Sequence, residues 1–572
     1  MKTWEEKYKT WHEFDHLDKA LKEELALIQE PSELEDAFYK ELTFGIGGIR
    51  GVLGPGTNRM NCYTVRRVVF GLAHYLLQHR VNVKDRGVVI SYDSRFQSKD
   101  FAIEAANVLS YFGITAYVFD TIRPTPLLSF AVRYLGAVAG IMITASHHPP
   151  KYNGLKVYNE DGGQITPAEA KEVSTFIEEV EDVLRIPVVK GDIEWLSKEI
   201  DHAYLERLQF VSRLAPDAKQ VDKELNIVFT PLHGTSHDLM TEGLKQFRFT
   251  SVHVVEEQTV PDPHFSTVTS PNPEDREAFT MAIELGKEVD ADILLATDPD
   301  ADRLGVAVKQ ENREFRVLTG NQLGVLLLDY ILKHTDLNVY QSPRMIKTVV
   351  TTELGQKIAQ AYGVKSLHTL TGFKYIGEKI RQFDATGETF IFGFEESNGF
   401  LIDGFVREKD AVQAAMLTAE MAYSLKKEGK TLLDALEELY EQYGYYQEDW
   451  LSFTLEGKDG IAKMEKIMEA IRMNGLSLIG ELQIEAVEDY LHQERRCLGK
   501  ENVESILLPK ENMIKMLLAD HAWVALRPSG TEPKLKCYYG VCGKSRKESE
   551  QSLAKLKLSI EEMIEERLAV KM

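Results

Sequence analysis

Gly140-Ile141-Met142-Ile143-Thr144-Ala145-Ser146-His147-His148-Pro149-Pro150-Lys151-Tyr152-Asn153-Gly154-Leu155-Lys156 begins as a short apolar run and passes without a spacer into a polar stretch rich in chemistry. A run of this length, closed by a Pro-rich turn, reads as a buried strand over Gly140–Ile143. Two more such runs lie upstream, Gly87–Tyr92 and Thr115–Phe119, with amphipathic helical patterns between them. Alternation of that kind predicts an α/β unit. Ligands of α/β units bind beyond the carboxyl ends of the strands, which is where Ser146 stands.

The same rhythm recurs along the chain. A second region restarts near Leu225 with strands expected at Asn226–Thr230, Ser251–Val255 and Asp292–Ala296. A third offers Met345–Val350, Ser366–Leu370 and Thr389–Phe392. A fourth, beyond Gly444, has Trp450–Leu455, an extended run Ala522–Val541 and a closing charged helix Ser545–Leu568. Residues 1–42 read as helical with a turn at Pro31-Ser32, and Thr43–Gly51 as a glycine-rich loop. The first three regions share a rhythm but no readable repeat. In all four, a polar motif follows a strand, so four loops are expected to meet at one junction.

With 572 residues the chain is too long for one core. A net charge of −22 disfavours nucleic acid and anionic membranes as partners, so an anionic ligand needs a local basic pocket. No apolar stretch approaches the roughly 20 residues that cross a bilayer, and the charged, aromatic start carries no export signal. The four cysteines, Cys62, Cys497, Cys537 and Cys542, have neither CxxC nor metal spacing. They read as ordinary thiols in a reducing, cytoplasmic setting.

Four motifs carry chemistry. Ser146, beside a histidine and turn amides, is a plausible covalent carrier once activated or already phosphorylated, and Lys156 can supply charge or a proton. The bland alternative is a capped Ser/His/Pro turn. Asp298-Pro299-Asp300-Ala301-Asp302-Arg303 sets three carboxylates along one loop, an arrangement that suits a hard cation, with an Arg fork for phosphate. Unneutralised, those carboxylates would repel one another. Gly393-Phe394-Glu395-Glu396-Ser397-Asn398-Gly399 suits sugar hydroxyls, or is a polar turn. Arg527-Pro528-Ser529-Gly530-Thr531-Glu532-Pro533-Lys534 suits an anion cradle, or is again a turn. His233 reads as a structural turn histidine, and Arg407-Glu408-Lys409-Asp410 as a solvated face. A phosphate carrier, a cation site, a sugar-like site and a second phosphate cradle together are what a sugar bisphosphate requires.

These motifs, in this order from about Thr43 to Gly540, resemble the α-D-phosphohexomutase family. The resemblance implies an α/β protein of four domains around a central cleft, three mixed α/β domains and a smaller C-terminal α+β domain. Boundaries are expected at 1–205, 206–325, 326–445 and 446–572. It implies that Ser146 carries the phosphoryl group, and that Mg²⁺ is bound by the phosphoserine with Asp298, Asp300 and Asp302. Arg50 and Lys156 match positions for proton transfer or charge stabilisation, and His147 flanks the serine. Arg303 matches a phosphate contact, Glu395 and Ser397 match sugar contacts, and Thr371, Gly372 and Lys374 match a second specificity loop. Lys409 falls near the sugar site, while Arg527, Ser529, Gly530 and Thr531 match the loop for the non-reacting phosphate. His148, Asn398 and Ile46 depart from the family's usual Asn, aromatic and Thr.

The reaction so implied interconverts glucose 1-phosphate and glucose 6-phosphate, with glucose 1,6-bisphosphate as intermediate and activator. Pentose or mannose phosphates are alternative substrates. An Asp298-nucleophile phosphatase and a non-catalytic sugar-phosphate sensor are alternatives of other classes. The expected partners are small-molecule sugar phosphates, not nucleic acid or membrane.

Overall fold

The computed structural model describes residues 3–569 apart from 46, 455–459, 474–476, 500–501 and 529–533. Its first sheet contains β1 (Gly48–Val52), β2 (Val88–Tyr92), β3 (Ala116–Phe119), β4 (Ala139–Ile143), β5 (Tyr152–Asn159) and β6 (Glu194–Leu196), in the order β1-β5-β4-β2-β3-β6. Every residue of β2 and β4 is buried. Both strands are almost wholly apolar, as a parallel sheet covered by helices on both faces demands. Three helices precede this sheet, Trp4–His12, Lys19–Leu27 and Pro31–Phe38.

The second sheet contains β7 (Lys223–Thr230), β8 (Phe249–Val254), β9 (Ile293–Thr297), β10 (Leu304–Lys309) and β11 (Phe315–Val317), in the order β11-β10-β9-β7-β8. The third contains β12 (Pro343–Thr348), β13 (Lys365–Thr369), β14 (Thr389–Glu395) and β15 (Gly399–Leu401), in the order β13-β12-β14-β15. One continuous apolar core joins these three units, and the helix Ala411–Lys427, buried from Ala411 to Ala422, runs through it. The fourth unit is an antiparallel sheet with its own core, and it includes Tyr445–Thr454, Trp523–Pro528 and Lys534–Gly543. The helix Arg546–Ala569 packs on it. Among the described residues no helix is long and apolar enough to cross a membrane.

One topological device repeats. β4 returns antiparallel as β5, β9 as β10 and β14 as β15, while each first strand also pairs in parallel with another neighbour. The chemistry-bearing motifs therefore occupy hairpin connections rather than strand-to-helix turns. This corrects the reading of Gly48–Gly51 as loop: these residues lie in β1, and Tyr152–Lys156, for which no strand was expected, lie in β5, paired Arg50 to Gly154 and Gly48 to Lys156. Asn and Gly suggest a turn, but here the glycine serves close approach. A Cβ at Gly154 would lie 2.7 Å from the carbonyl oxygens of both Ile49 and Thr144.

Candidate active site

Ser146 lies in the β4–β5 hairpin with φ near +50°, a left-handed backbone that costs a serine about 1 kcal/mol or more. Its amide donates to Thr144 Oγ1 at 2.8 Å, and its Oγ donates to Asp298 Oδ2 at 2.6 Å in the β9–β10 hairpin. His147 Nδ1 is 3.2 Å from the same Oγ. Both loops are positioned by buried central strands, which explains how residues 152 positions apart meet.

Arg95, which the sequence reading passed over, holds this turn. Its fully buried guanidinium donates to the carbonyls of Ser146 (2.5 Å), Tyr152 (3.0 Å), Pro149 (3.1 Å) and His148. Asp93 accepts from the Arg95 amide (3.0 Å) and from Ser98 Oγ (2.7 Å), and sits 3.4 Å from Arg95 Nε. A signal was available: Asp93-Ser94-Arg95 follows the strand β2, at the same end of the sheet as Ser146.

The three aspartates converge. Asp298, Asp300 and Asp302 are buried, with one oxygen from each within 4.8 Å of the others. Asp298 Oδ1 accepts from the amides of Asp302 (3.1 Å) and Arg303 (3.0 Å). Asp300 Oδ2 accepts from Thr125 Oγ1 (3.1 Å), a contact no motif indicated, and from Lys156 Nζ (2.8 Å). Asp302 Oδ2 is 2.8 Å from Lys409 Nζ. Asp300 Oδ1 and Asp302 Oδ1 are buried with no hydrogen-bond partner. Buried carboxylate oxygens left without donors fit a hard divalent cation, so the residues present suit a metal.

Charge follows geometry. Burial raises the Asp298 carboxyl well above its ordinary range, and the Asp302 and Asp300 charges add to the effect. Burial also opposes ionisation of Asp300, but the Lys156 ammonium outweighs it and holds the carboxyl below the usual range. Lys156 and Lys409 are raised despite burial, by Asp300 and Asp302 respectively. Burial and the Arg303 charge push His147 down, and burial and Arg50 push His148 down to about 3. Arg50 itself is exposed on β1.

The segment Arg407-Glu408-Lys409-Asp410 is not a solvated face. Arg407, Glu408 and Asp410 are 3%, 2% and 0% exposed. Each charge has a partner: Arg407 bridges Asp161 (3.0 Å) and Asp384 (2.8 Å), and Asp410 caps the helix Ala411–Lys427 while accepting from the Tyr204 hydroxyl. His233 is structural as read, with its ring nitrogens 2.9 Å from Val260 O and 2.7 Å from Thr267 Oγ1.

The third hairpin docks on the aspartate loop. Gly399 bridges to Arg303, and the Leu304 amide donates to Asn398 O at 3.1 Å. Asn398 is buried with φ near +58°, a conformation Asn tolerates better than an aromatic residue does. Glu395 is buried and accepts from the Gly372 amide at 2.9 Å, which joins its hairpin to the loop of Thr371, Gly372 and Lys374. Thr371 Oγ1 is a buried hydroxyl without a partner, and Ser397 is half-buried. Burial and the Arg527 charge lower Lys374 to about 8, against the pull of Glu511. Arg527 pairs with Glu511 at 2.7 Å and faces Lys536 across its strand pair. Ser529, Gly530 and Thr531 lie outside the described residues. Arg303 pairs with the half-buried carboxylate Glu274, another group the motifs did not point to.

Burial raises Glu395 to about 7, with Lys409 opposing and Glu396 adding. A carboxyl raised in the folded state binds more protons than its unfolded counterpart, so its contribution to stability is lost as pH rises from about 4.5 through 7. Glu395→Gln is therefore expected to flatten the pH dependence and to gain up to about 3 kcal/mol at pH 8. Urea unfolding of both proteins across this range checks it, and superimposable profiles would refute it.

Four stretches of the chain match the four phosphoglucomutase/phosphomannomutase domains: alpha/beta/alpha domain I over 41–183, domain II over 202–311, domain III over 319–443, and the C-terminal domain over 453–554. The chain is 43% identical over 515 residues to a phosphoglucomutase of Staphylococcus aureus strain MRSA252, covering 89% of this chain and 91% of that one. Its fold matches the open form of parafusin from Paramecium with a TM-score of 0.68 at 17% identity, over 92% of this chain and 96% of that one. It also matches a phosphoglucomutase/phosphomannomutase family protein from Burkholderia thailandensis with a TM-score of 0.67 at 18% identity, over 93% and 99%. Four domains in order, the serine hairpin set against a buried aspartate triad, and this identity over most of both chains have one reading: the chain belongs to the phosphoglucomutase/phosphomannomutase family.

Proposed function

We propose that this protein interconverts glucose 1-phosphate and glucose 6-phosphate through a phosphorylated Ser146 and a glucose 1,6-bisphosphate intermediate. The observation that carries the reading is Ser146 Oγ, held in a left-handed turn 2.6 Å from Asp298 Oδ2 beside two aspartates with unpartnered oxygens. The sugar is supported by the phosphoglucomutase relatives in Staphylococcus aureus. The four cysteines are unpaired, which supports a reducing, cytoplasmic setting.

In this reading a free sugar hydroxyl attacks the phosphoserine phosphorus. The bond from phosphorus to Ser146 Oγ breaks, the new oxygen–phosphorus bond forms, and the hydroxyl proton ends on Ser146 Oγ. His147 Nδ1, 3.2 Å away, is placed to pass that proton. The bisphosphate turns over and returns its other phosphoryl group to Ser146. Asp298, Asp300 and Asp302, with the Ser146 phosphate, would hold Mg²⁺, which would offset charge on the transferring group. Lys156 and Lys409 keep the Asp300 and Asp302 charges matched, and Arg303 and Arg50 face phosphate oxygens. Glu395, Ser397, Thr371, Gly372 and Lys374 contact sugar hydroxyls, which in either pose lie between the same two phosphates.

Arg527, with Ser529, Gly530 and Thr531, grips the far phosphate. Arg527→Ala should raise KM for glucose 1-phosphate by about 10-fold or more, the worth of one charge-assisted hydrogen bond. An unchanged KM would remove Arg527 from that role.

The Asp298-nucleophile alternative is disfavoured because both Asp298 oxygens are engaged, one by Ser146 and one by two amides. The deciding experiment incubates the protein with glucose 1,6-bisphosphate and maps the added phosphoryl group by peptide mass. It is run beside a coupled assay on glucose, mannose and ribose 1-phosphates. Label on the Ser146 peptide with preference for glucose is expected. Label on the Asp298 peptide, or preference for another sugar, would overturn the carrier or the substrate respectively.

A further inference from the structure

A cavity of about 750 Å³ shares no lining residue with the Ser146 site. It lies where the helix Thr125–Leu135, the end of the helix Lys198–Leu208 and the segment Ile402–Arg407 meet. Its size suits a small ligand. Two rings at its rim stand open to water: Tyr134, 59% exposed and stacked on Phe130, and Phe210, 60% exposed.

The charges around it are unevenly matched. Asp384 is taken by Arg407, Glu388 by Arg344 at 2.6 Å, and Asp403 Oδ1 by the Phe405 amide at 3.0 Å. Arg133 pairs with Asp161, and Arg407 with both Asp161 and Asp384. The Arg207 guanidinium lies over the rings of Phe210 (4.9 Å) and Phe405 (5.9 Å), and that of Arg213 donates only to the carbonyls of Phe210 and Val211. Neither has a carboxylate in ion-pair contact among the described residues. On a chain of net charge −22, two unmatched guanidiniums beside exposed aromatic faces form a local site for an anion that carries a flat ring.

One wall of the cavity leads to the reaction site. Ile402–Phe405 and Arg407 line it, the Arg407 amide is tied to Ser129 Oγ at 2.9 Å, and two residues further on Lys409 Nζ reaches Asp302 at 2.8 Å. We propose that this cavity is an effector site for a ring-bearing phosphate of the nucleoside monophosphate class, whose binding alters mutase turnover through the segment 402–409. Only the effect on turnover rests on the function proposed above; binding does not.

Calorimetric titration of the whole protein with AMP, in saturating glucose 6-phosphate, tests it. Adenosine, inorganic phosphate and glucose 6-phosphate alone serve as separate arms. One AMP per chain is expected to bind with a Kd of about 1 mM or tighter. Adenosine and inorganic phosphate should each bind at least about 10-fold more weakly, because each keeps only half of the recognition. Arg207→Glu and Phe210→Ala, both at exposed positions, should each weaken AMP by about 10-fold or more and leave kcat without AMP unchanged. AMP should change wild-type turnover and leave Arg207→Glu unaffected. Absence of AMP binding, displacement by glucose 6-phosphate, equal binding of inorganic phosphate, or wild-type affinity in both variants would overturn the site. Binding without any change in turnover would overturn the effector role. A protein inactive on glucose 1-phosphate would still report AMP binding, so the two readings fail separately.

Discussion

Ser146→Ala is expected to lower kcat/KM for glucose 1-phosphate by at least about 10³-fold, because a covalent route without its carrier retains only binding and charge stabilisation. The variant should also take up no phosphoryl group from glucose 1,6-bisphosphate. Its fold should survive, since one oxygen is lost from a turn held mainly by Arg95. The Asp298 carboxyl, deprived of its donor at 2.6 Å, still accepts two amides. A thermal midpoint within a few degrees of wild type, measured with the coupled assay, separates lost chemistry from lost structure. Wild-type turnover in this variant would place the phosphoryl carrier elsewhere.

Arg95→Lys is expected to lower kcat by about 10²-fold while leaving KM for glucose 1-phosphate nearly unchanged, the mark of a group that positions the reacting atom rather than binds substrate. Lysine keeps the charge beside Asp93 but cannot donate in a fork to four carbonyls. The left-handed Ser146 then relaxes, and Oγ moves off the aspartates. Arg95→Ala is the harsher change: it leaves the buried Asp93 without its cation, and about 3–5 kcal/mol of stability should go with it. Wild-type kcat in Arg95→Lys would show that the turn holds itself.

Arg95 also marks where reading residues in order stops short. The motifs found in the sequence were those whose residue types are themselves unusual, such as three aspartates in five residues or a serine beside two histidines. Arg95 and Thr125 are ordinary residues after ordinary strands. Their importance lies in the carbonyls and the carboxylate they meet, Ser146 O and Asp300 Oδ2, which are 51 and 175 positions away. Lys409 illustrates the opposite case. A run of four charges suggests solvent, yet these charges are buried because Asp161, Asp384, Asp302 and Tyr204 lie around them.

Sequence by itself determined the α/β class, the apolar central strands β2, β4, β9 and β14, and the rule that the polar motifs stand at their carboxyl ends. Those features depend on local pattern: a buried strand must be apolar on both faces, and a ligand loop can begin only where the strand stops. Tertiary structure alone decided that the motifs sit in hairpins, that Tyr152–Lys156 is a strand, and that Asp298 turns its oxygen to Ser146 rather than to solvent. Strand pairing and charge burial are set by partners distant in the chain, and no local periodicity encodes which carboxylate meets which cation.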